Sequence, residues 1–171
     1  DITSDASVAD LKTRLGDRTI DVLINNAGIL KRVTLENLDF DSIREQFEVN
    51  ALGTLRITQS LLPNLRAGSK VVIMTSRMGS IGDNTSGSSY GYRMSKVALS
   101  MAGKSLAHDL KGQGIAVAIL HPGLVQTRMT NFTSGGITPE ESVKGLLARI
   151  SELTLENTGT FWHSNGEVLP W

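Results

Sequence analysis

A chain of 171 residues with 40% hydrophobic but only 5% aromatic side chains can bury one sizeable, largely aliphatic core, so a single domain is expected. Lysine plus arginine balance aspartate plus glutamate at 17 each, which gives no electrostatic reason to expect nucleic acid or an anionic membrane as a partner. The absence of cysteine excludes disulfides, thiolate metal sites and thiol nucleophiles, and no apolar run or leader-like opening points to a membrane or export, so a soluble, cytoplasmic protein is expected.

Asp1-Ile2-Thr3-Ser4 reads as the end of a strand, and with no initiator methionine an N-terminal portion is expected to be missing. A first helix is predicted from Val8 to Leu15, stopped by Gly16. Ile20-Asp21-Val22-Leu23-Ile24 is a short strand ending at Asn25-Asn26-Ala27-Gly28. A second helix is predicted from Ser42, where Ser42 and Glu45 form a capping-box pattern, to Pro63. Its expected apolar face runs Ile43, Phe47, Ala51 and Thr54, and Asn50 falls on it. A buried amide there needs hydrogen bonds, which backbone carbonyls or a functional site could equally supply. Gly53, costly in mid-helix, implies a close approach.

Lys70-Val71-Val72-Ile73-Met74 is the second strand and stops at Thr75-Ser76. A third helix carries Tyr92 and Lys96 and runs to about Leu110, before Gly112 and Gly114. Ile115 to Leu120 is the third strand and ends at His121-Pro122-Gly123. The last helix starts at Thr138-Pro139-Glu140-Glu141 and runs to about Leu153. Unalternating apolar strands separated by helices predict an open α/β parallel sheet, with ligands received at the carboxyl ends of the strands.

Those ends gather polar residues with usable chemistry. Tyr92 and Lys96 share one helix face, and an ammonium beside a phenol favours phenolate. Ser76 could donate to a substrate oxygen or merely cap the following loop. His108, His121 and His163 form neither a serine-hydrolase triad nor a metal-ligand spacing. Asn26-Ala27-Gly28 and Pro122-Gly123 are turn residues that also admit a ligand close to the backbone, and Thr127 offers a hydroxyl beyond them.

Asn25-Asn26-Ala27-Gly28, Asn50, Ser76, Tyr92-x-x-x-Lys96 and Pro122-Gly123-x-x-x-Thr127 occur together in the order found in short-chain dehydrogenases/reductases, and the chain resembles that family over essentially its whole length. The stretch 79–87 and the ending 166–171 look closest to a C-factor-like subgroup of carbonyl reductases. The resemblance implies a Rossmann-like doubly wound parallel sheet, lacking its first βαβαβ portion, as one partial domain over 1–171. It implies NAD or NADP as cofactor, a small carbonyl or alcohol substrate, and hydride transfer with Tyr92 as general acid/base. Lys96 would lower the Tyr92 pKa and hold the nicotinamide ribose, Ser76 would bond the reacting oxygen, and Asn50 would anchor a water leading from Lys96. Asp1, at an acidic position, would contact the adenine. Asn26, Ala27 and Gly28 would line the cofactor cleft, with Pro122, Gly123, Val125 and Thr127 at the nicotinamide end.

Two departures stand beside these expectations. The glycine-rich pyrophosphate turn is absent, and the interval from Ser76 to Tyr92 is longer than usual by a few residues, absorbed in a Gly/Ser/Asn-rich loop over 82–91. Without the first strands, the sheet is expected to expose an apolar edge. Met129 and Phe132 are candidate apolar substrate contacts. Ala98 and Ala102 on the third helix, a helix through which members of the family often pair, give an expected homodimer or homotetramer. The competing expectation is a non-catalytic, C-factor-like signalling or interaction protein that keeps the fold.

Overall fold

A computed structural model describes all residues 1–171. Four parallel strands, β1 (Val22–Asn25), β2 (Lys70–Met74), β3 (Ala116–His121) and β4 (Phe161–His163), lie side by side in chain order. The helices are α1 (Asp5–Leu15), α2 (Phe40–Phe47), α3 (Gly53–Leu61), α4 (Tyr90–Lys111) and α5 (Pro139–Glu152). The expected α/β parallel sheet is therefore present, with one strand more than the sequence indicated. β4 is three residues long and aromatic rather than aliphatic, too short to register as an apolar run.

Alternation along the central strands divides the core into two layers. Val71, Ile73, Val117 and Ile119 face Leu99, Ala107 and Leu110 of α4. Val72, Met74, Ala116, Ala118 and Leu120 face Ile150 and the adjoining Leu153 at the end of α5. Both faces are covered, which explains why these strands read as unbroken apolar runs. β1 is an edge strand, and Val22 and Ile24 remain 41% and 48% exposed, as the expected apolar edge requires.

Several boundaries differ from expectation. Asp1–Ser4 is a turn rather than a strand end: the Asp1 carboxylate accepts from the Thr3 amide and hydroxyl at 2.8 Å each, and Ser4 then caps α1. The second helix is capped by Asp39, not Ser42; the Asp39 carboxylate accepts from the Ser42 amide at 2.9 Å, one turn earlier than the capping-box pattern placed it. This helix is also not continuous, because Glu48–Leu52 forms a π-helical turn between α2 and α3. Gly53 does mark a close approach: a Cβ there would lie 2.6 Å from Ile2 Cδ1. No helix is long and apolar enough to cross a membrane.

Candidate active site

The carboxyl ends of β1, β2 and β3 open onto a cleft of about 900 Å³. It is lined by Asn26, Ala27 and Gly28 after β1, Ser76 after β2, Tyr92 and Lys96 on α4, and Pro122, Gly123, Val125 and Thr127 after β3. The parallel topology alone brings these segments, far apart in sequence, to one edge of the sheet. Asp1 and Asn50 are not among the lining residues.

Tyr92 and Lys96 are 6% and 4% exposed, and the Lys96 Nζ lies 5.7 Å from the centre of the Tyr92 ring. Nζ donates to the Met74 carbonyl at 2.9 Å, which leaves two of its three protons for other acceptors. Burial lowers the Lys96 pKa to about 8. Burial also pushes the Tyr92 phenol above its ordinary value, against which the neighbouring Ser76 hydroxyl pulls it down. The net direction is opposite to the lowering expected from Lys96. The reason is physical: the same burial that brings the pair together removes the water that stabilises phenolate and ammonium alike.

Ser76 is itself buried and opens a short 3-10 turn, Arg77–Gly79, where its Oγ accepts from the Met78 amide at 3.1 Å. Asn50 is fully buried; its Oδ1 accepts from the Ile29 amide at 2.8 Å, and Nδ2 donates to the Ile29 carbonyl and to Ser95 Oγ, each at 2.9 Å. The amide thus satisfies backbone groups of the loop after β1. Its Oδ1 also stands 3.3 Å from where a Gly28 Cβ would be, as does Lys96 Nζ. Only glycine leaves that space open between the two. On the opposite wall, Gly123 has φ +89°, and the Pro122 carbonyl ahead of it accepts from Ser142 Oγ at 2.6 Å and Ser164 Oγ at 3.1 Å.

Sequence reasoning passed over Arg77, His121, Ser142 and Arg128, all of which line the cleft. His121 stands edge-on to His163, with ring centres 4.9 Å apart, and burial together with the cations nearby lowers its pKa to about 3. The signal that could have found two of them was adjacency: Arg77 follows Ser76, and His121 precedes Pro122. Of the candidate substrate contacts, Met129 lines the cleft, whereas Phe132 is exposed and outside it. The cleft offers no His, Asp, Glu cluster able to hold a metal ion.

Backbone-lined strand ends, an open space over glycine and a buried phenol–ammonium pair thus meet in one cleft. Residues 1–136 match the family model described as short chain dehydrogenase, and the chain belongs to that family and is an NAD(P)-dependent oxidoreductase. It is 44% identical over 176 residues to the 1-hydroxy-2-glutathionyl-2-methyl-3-butene dehydrogenase of a Rhodococcus species, covering 100% of this chain and 78% of that protein. It is 43% identical over 155 residues to the C-signal protein of Myxococcus xanthus, covering 89% of this chain and 93% of that one. Among solved structures, NADPH-bound carbonyl reductase from chicken fatty liver superposes with a TM-score of 0.92 at 30% identity, covering 100% of this chain and 75% of that one.

Proposed function

We propose that this cleft interconverts a carbonyl and an alcohol, with Tyr92 giving and taking the proton. The observation that carries the reading is the buried Tyr92 phenol, which shares one cleft with Ser76 and Lys96. A phenol pushed up by burial is fully protonated near neutral pH and is poised to donate to a carbonyl oxygen as that oxygen gains charge. The Ser76 hydroxyl would share that oxygen, and the Lys96 cation, present below about pH 8, would stabilise the phenolate left behind.

The cleft residues fit a nicotinamide dinucleotide: bare backbone at Asn26, Ala27 and Gly28, space over Gly28 beside the Lys96 ammonium, and polar groups around Thr127. When bound, the nicotinamide supplies or accepts the hydride. Gly28 would leave room for the ribose, which Lys96 and Tyr92 would hold, while Pro122, Gly123, Val125 and Thr127 would hold the ring. Asp1 would meet the adenine. Asn50 would contribute through its remaining Oδ1 lone pair, as an anchor for a water between Lys96 and solvent. Leu30, Met78, Met129, Val143 and Leu146 give the cleft apolar walls suited to a small carbonyl or alcohol. The dehydrogenase name of the Rhodococcus relative supports the same chemistry.

The test is a carbonyl and alcohol panel with NADPH and NADH. Tyr92→Phe is expected to lower kcat by about 10²–10⁴-fold while leaving cofactor binding intact; wild-type turnover no better than that of Tyr92→Phe across the panel sinks the reading. The C-signal relative favours a second, non-catalytic signalling reading, under which a biological activity would survive Tyr92→Phe unchanged. The assembly is a homodimer or homotetramer through α4, supported by the exposed Met94 and Met101 beside Ala98 and Ala102. Light scattering at micromolar concentration is expected to give a multiple of 18.4 kDa, and a monomer mass overturns it.

A further inference from the structure

The turn that carries Ser76 has little of its own to hold it. It is a single 3-10 turn, and Ser76 Oγ is already engaged with the Met78 amide. One side of the turn rests on α4: a Cβ on Gly79 would lie 2.8–3.0 Å from the Lys96 backbone and Cβ. Arg93 also donates to the Met78 carbonyl of the turn at 3.3 Å, and Arg77 reaches outward from it to two carboxylates. Arg77 donates through Nε to Asp83 Oδ2 at 2.8 Å and through Nη2 to Glu167 Oε1 at 2.7 Å.

These two carboxylates belong to different segments, and each segment is held by hydrogen bonds other than those of the Arg77 fork. Asp83 lies in the loop after the turn, where Ser80 Oγ accepts from the Asp83 amide at 3.1 Å and the Gly82 amide donates to the Trp171 carbonyl at 2.8 Å. Glu167 lies in the return after β4, where the His163 amide donates to the Glu167 carbonyl and the Leu169 amide to the Phe161 carbonyl, both at 2.8 Å. The fork of Arg77 therefore ties the Ser76 turn to the unusually long loop and to the edge of the sheet at once. Arg77 also lines the cleft, beside the two histidines near Gly123.

Magnitudes separate a structural from a positional role. Both ion pairs are part-exposed, with side chains between 30% and 47% accessible, and pairs of this kind add little to stability. A hydroxyl misplaced by about 1 Å, in contrast, can cost about 10²-fold in rate. The clasp is weak as a staple and strong as an aiming device.

We propose that Arg77 is a positioning residue whose fork, closed on Asp83 and Glu167, aims the Ser76 hydroxyl at Tyr92. This rests on the catalytic reading of Ser76 and Tyr92, and its test separates the two. The chain has two tyrosines, so in a Tyr90→Phe background the ultraviolet absorbance of phenolate reports Tyr92 alone, with no turnover required. Ser76→Ala sets the full upward displacement of the Tyr92 midpoint. Glu167→Gln and Asp83→Asn keep the shape of the clasp while removing one charge each. They are expected to move the midpoint upward by part of that displacement, to lower kcat about tenfold with cofactor KM unchanged, and to leave Tm within a few degrees. Arg77→Lys, which keeps charge but not the fork, is expected to behave like them. Asp21→Asn, which removes the remote Arg66–Asp21 pair, serves as the control and changes neither quantity. An unmoved Tyr92 midpoint in Glu167→Gln, Asp83→Asn and Arg77→Lys overturns the inference. So does a loss of kcat that only follows a fall in Tm. An inactive wild type whose Tyr92 midpoint still responds would remove the catalytic reading and leave the clasp standing.

Discussion

α4 runs unbroken for 22 residues, whereas the chain packed across it, from Phe40 to Asn64, passes from α to π to α to 3-10 form. The regular helix needs nothing more than its period to place Tyr92 and Lys96 on one face. The irregular one presents Ser42, Gln46 and Asn50 inward, while Ile43 and Phe47 stay half-buried. Two of these three polar side chains, Gln46 and Asn50, hold backbone. Gln46 Oε1 accepts from the Lys31 amide at 3.0 Å, and Asn50 brackets Ile29, with only Leu30 between the two held residues. Two side-chain amides thus pin the loop that leaves β1 over the cleft. The π turn, in which the Gly53 amide reaches back to the Glu48 carbonyl, is what keeps Asn50 on that stripe while the next turn changes face. Regularity sets the distance between two reacting groups; irregularity fixes the backbone they work against.

The contrast breaks most sharply at Asn50. Asn50→Leu fills the space but leaves the Ile29 amide and carbonyl without partners and takes a donor from Ser95 Oγ. Orphaned buried groups cost about 1–3 kcal/mol each, so a loss of about 3 kcal/mol is expected, or roughly 10 °C in Tm for a domain of this size. Thermal unfolding checks it. A loss below about 1 kcal/mol would mean that the amide does not hold the loop and that the π turn has another cause.

The same contrast governs what could be read beforehand. The strands, α4 and the Tyr92–Lys96 spacing were legible because they follow one period and bury apolar residues. The inner face of the chain at 40–61 was legible only in part: Asn50, Ala51 and Thr54 lie on it as expected, but hydrophobicity pointed to Ile43 and Phe47 where Ser42 and Gln46 take the buried positions. A π turn has no composition of its own, so nothing in Glu48–Leu52 announced it. β4 was hidden by its length, and the Arg77 clasp by distance, since Glu167 lies 90 residues away in sequence. The sign of the Tyr92 shift was missed for a related reason: spacing shows which charges are neighbours, and says nothing of how much water they lose.

That loss of water gives α4 a signature in pH which the polar stripe opposite lacks. Lys96 has a pKa of about 8 in the folded protein against 10.5 for the free side chain, so between those values the unfolded chain binds more protons than the folded one. Stability contributed by this group must therefore rise as pH rises from about 8 towards 10.5, and be lowest below 8, where the buried ammonium is charged. Lys96→Met removes the titration and keeps the apolar stem. The difference in unfolding free energy between wild type and Lys96→Met is expected to shift in favour of wild type by about 2 kcal/mol from about pH 7 to about pH 9.5. Other titrating groups, Tyr92 included, are common to both proteins and largely cancel. Denaturant unfolding at the two pH values checks it. A flat difference would mean that Lys96 keeps its water and an ordinary pKa, and that the burial which also raises Tyr92 is shallower than the structure has it. A difference of the expected sign would show that α4, for all its regularity, carries its charge at a cost in stability that the amide stripe facing it does not share.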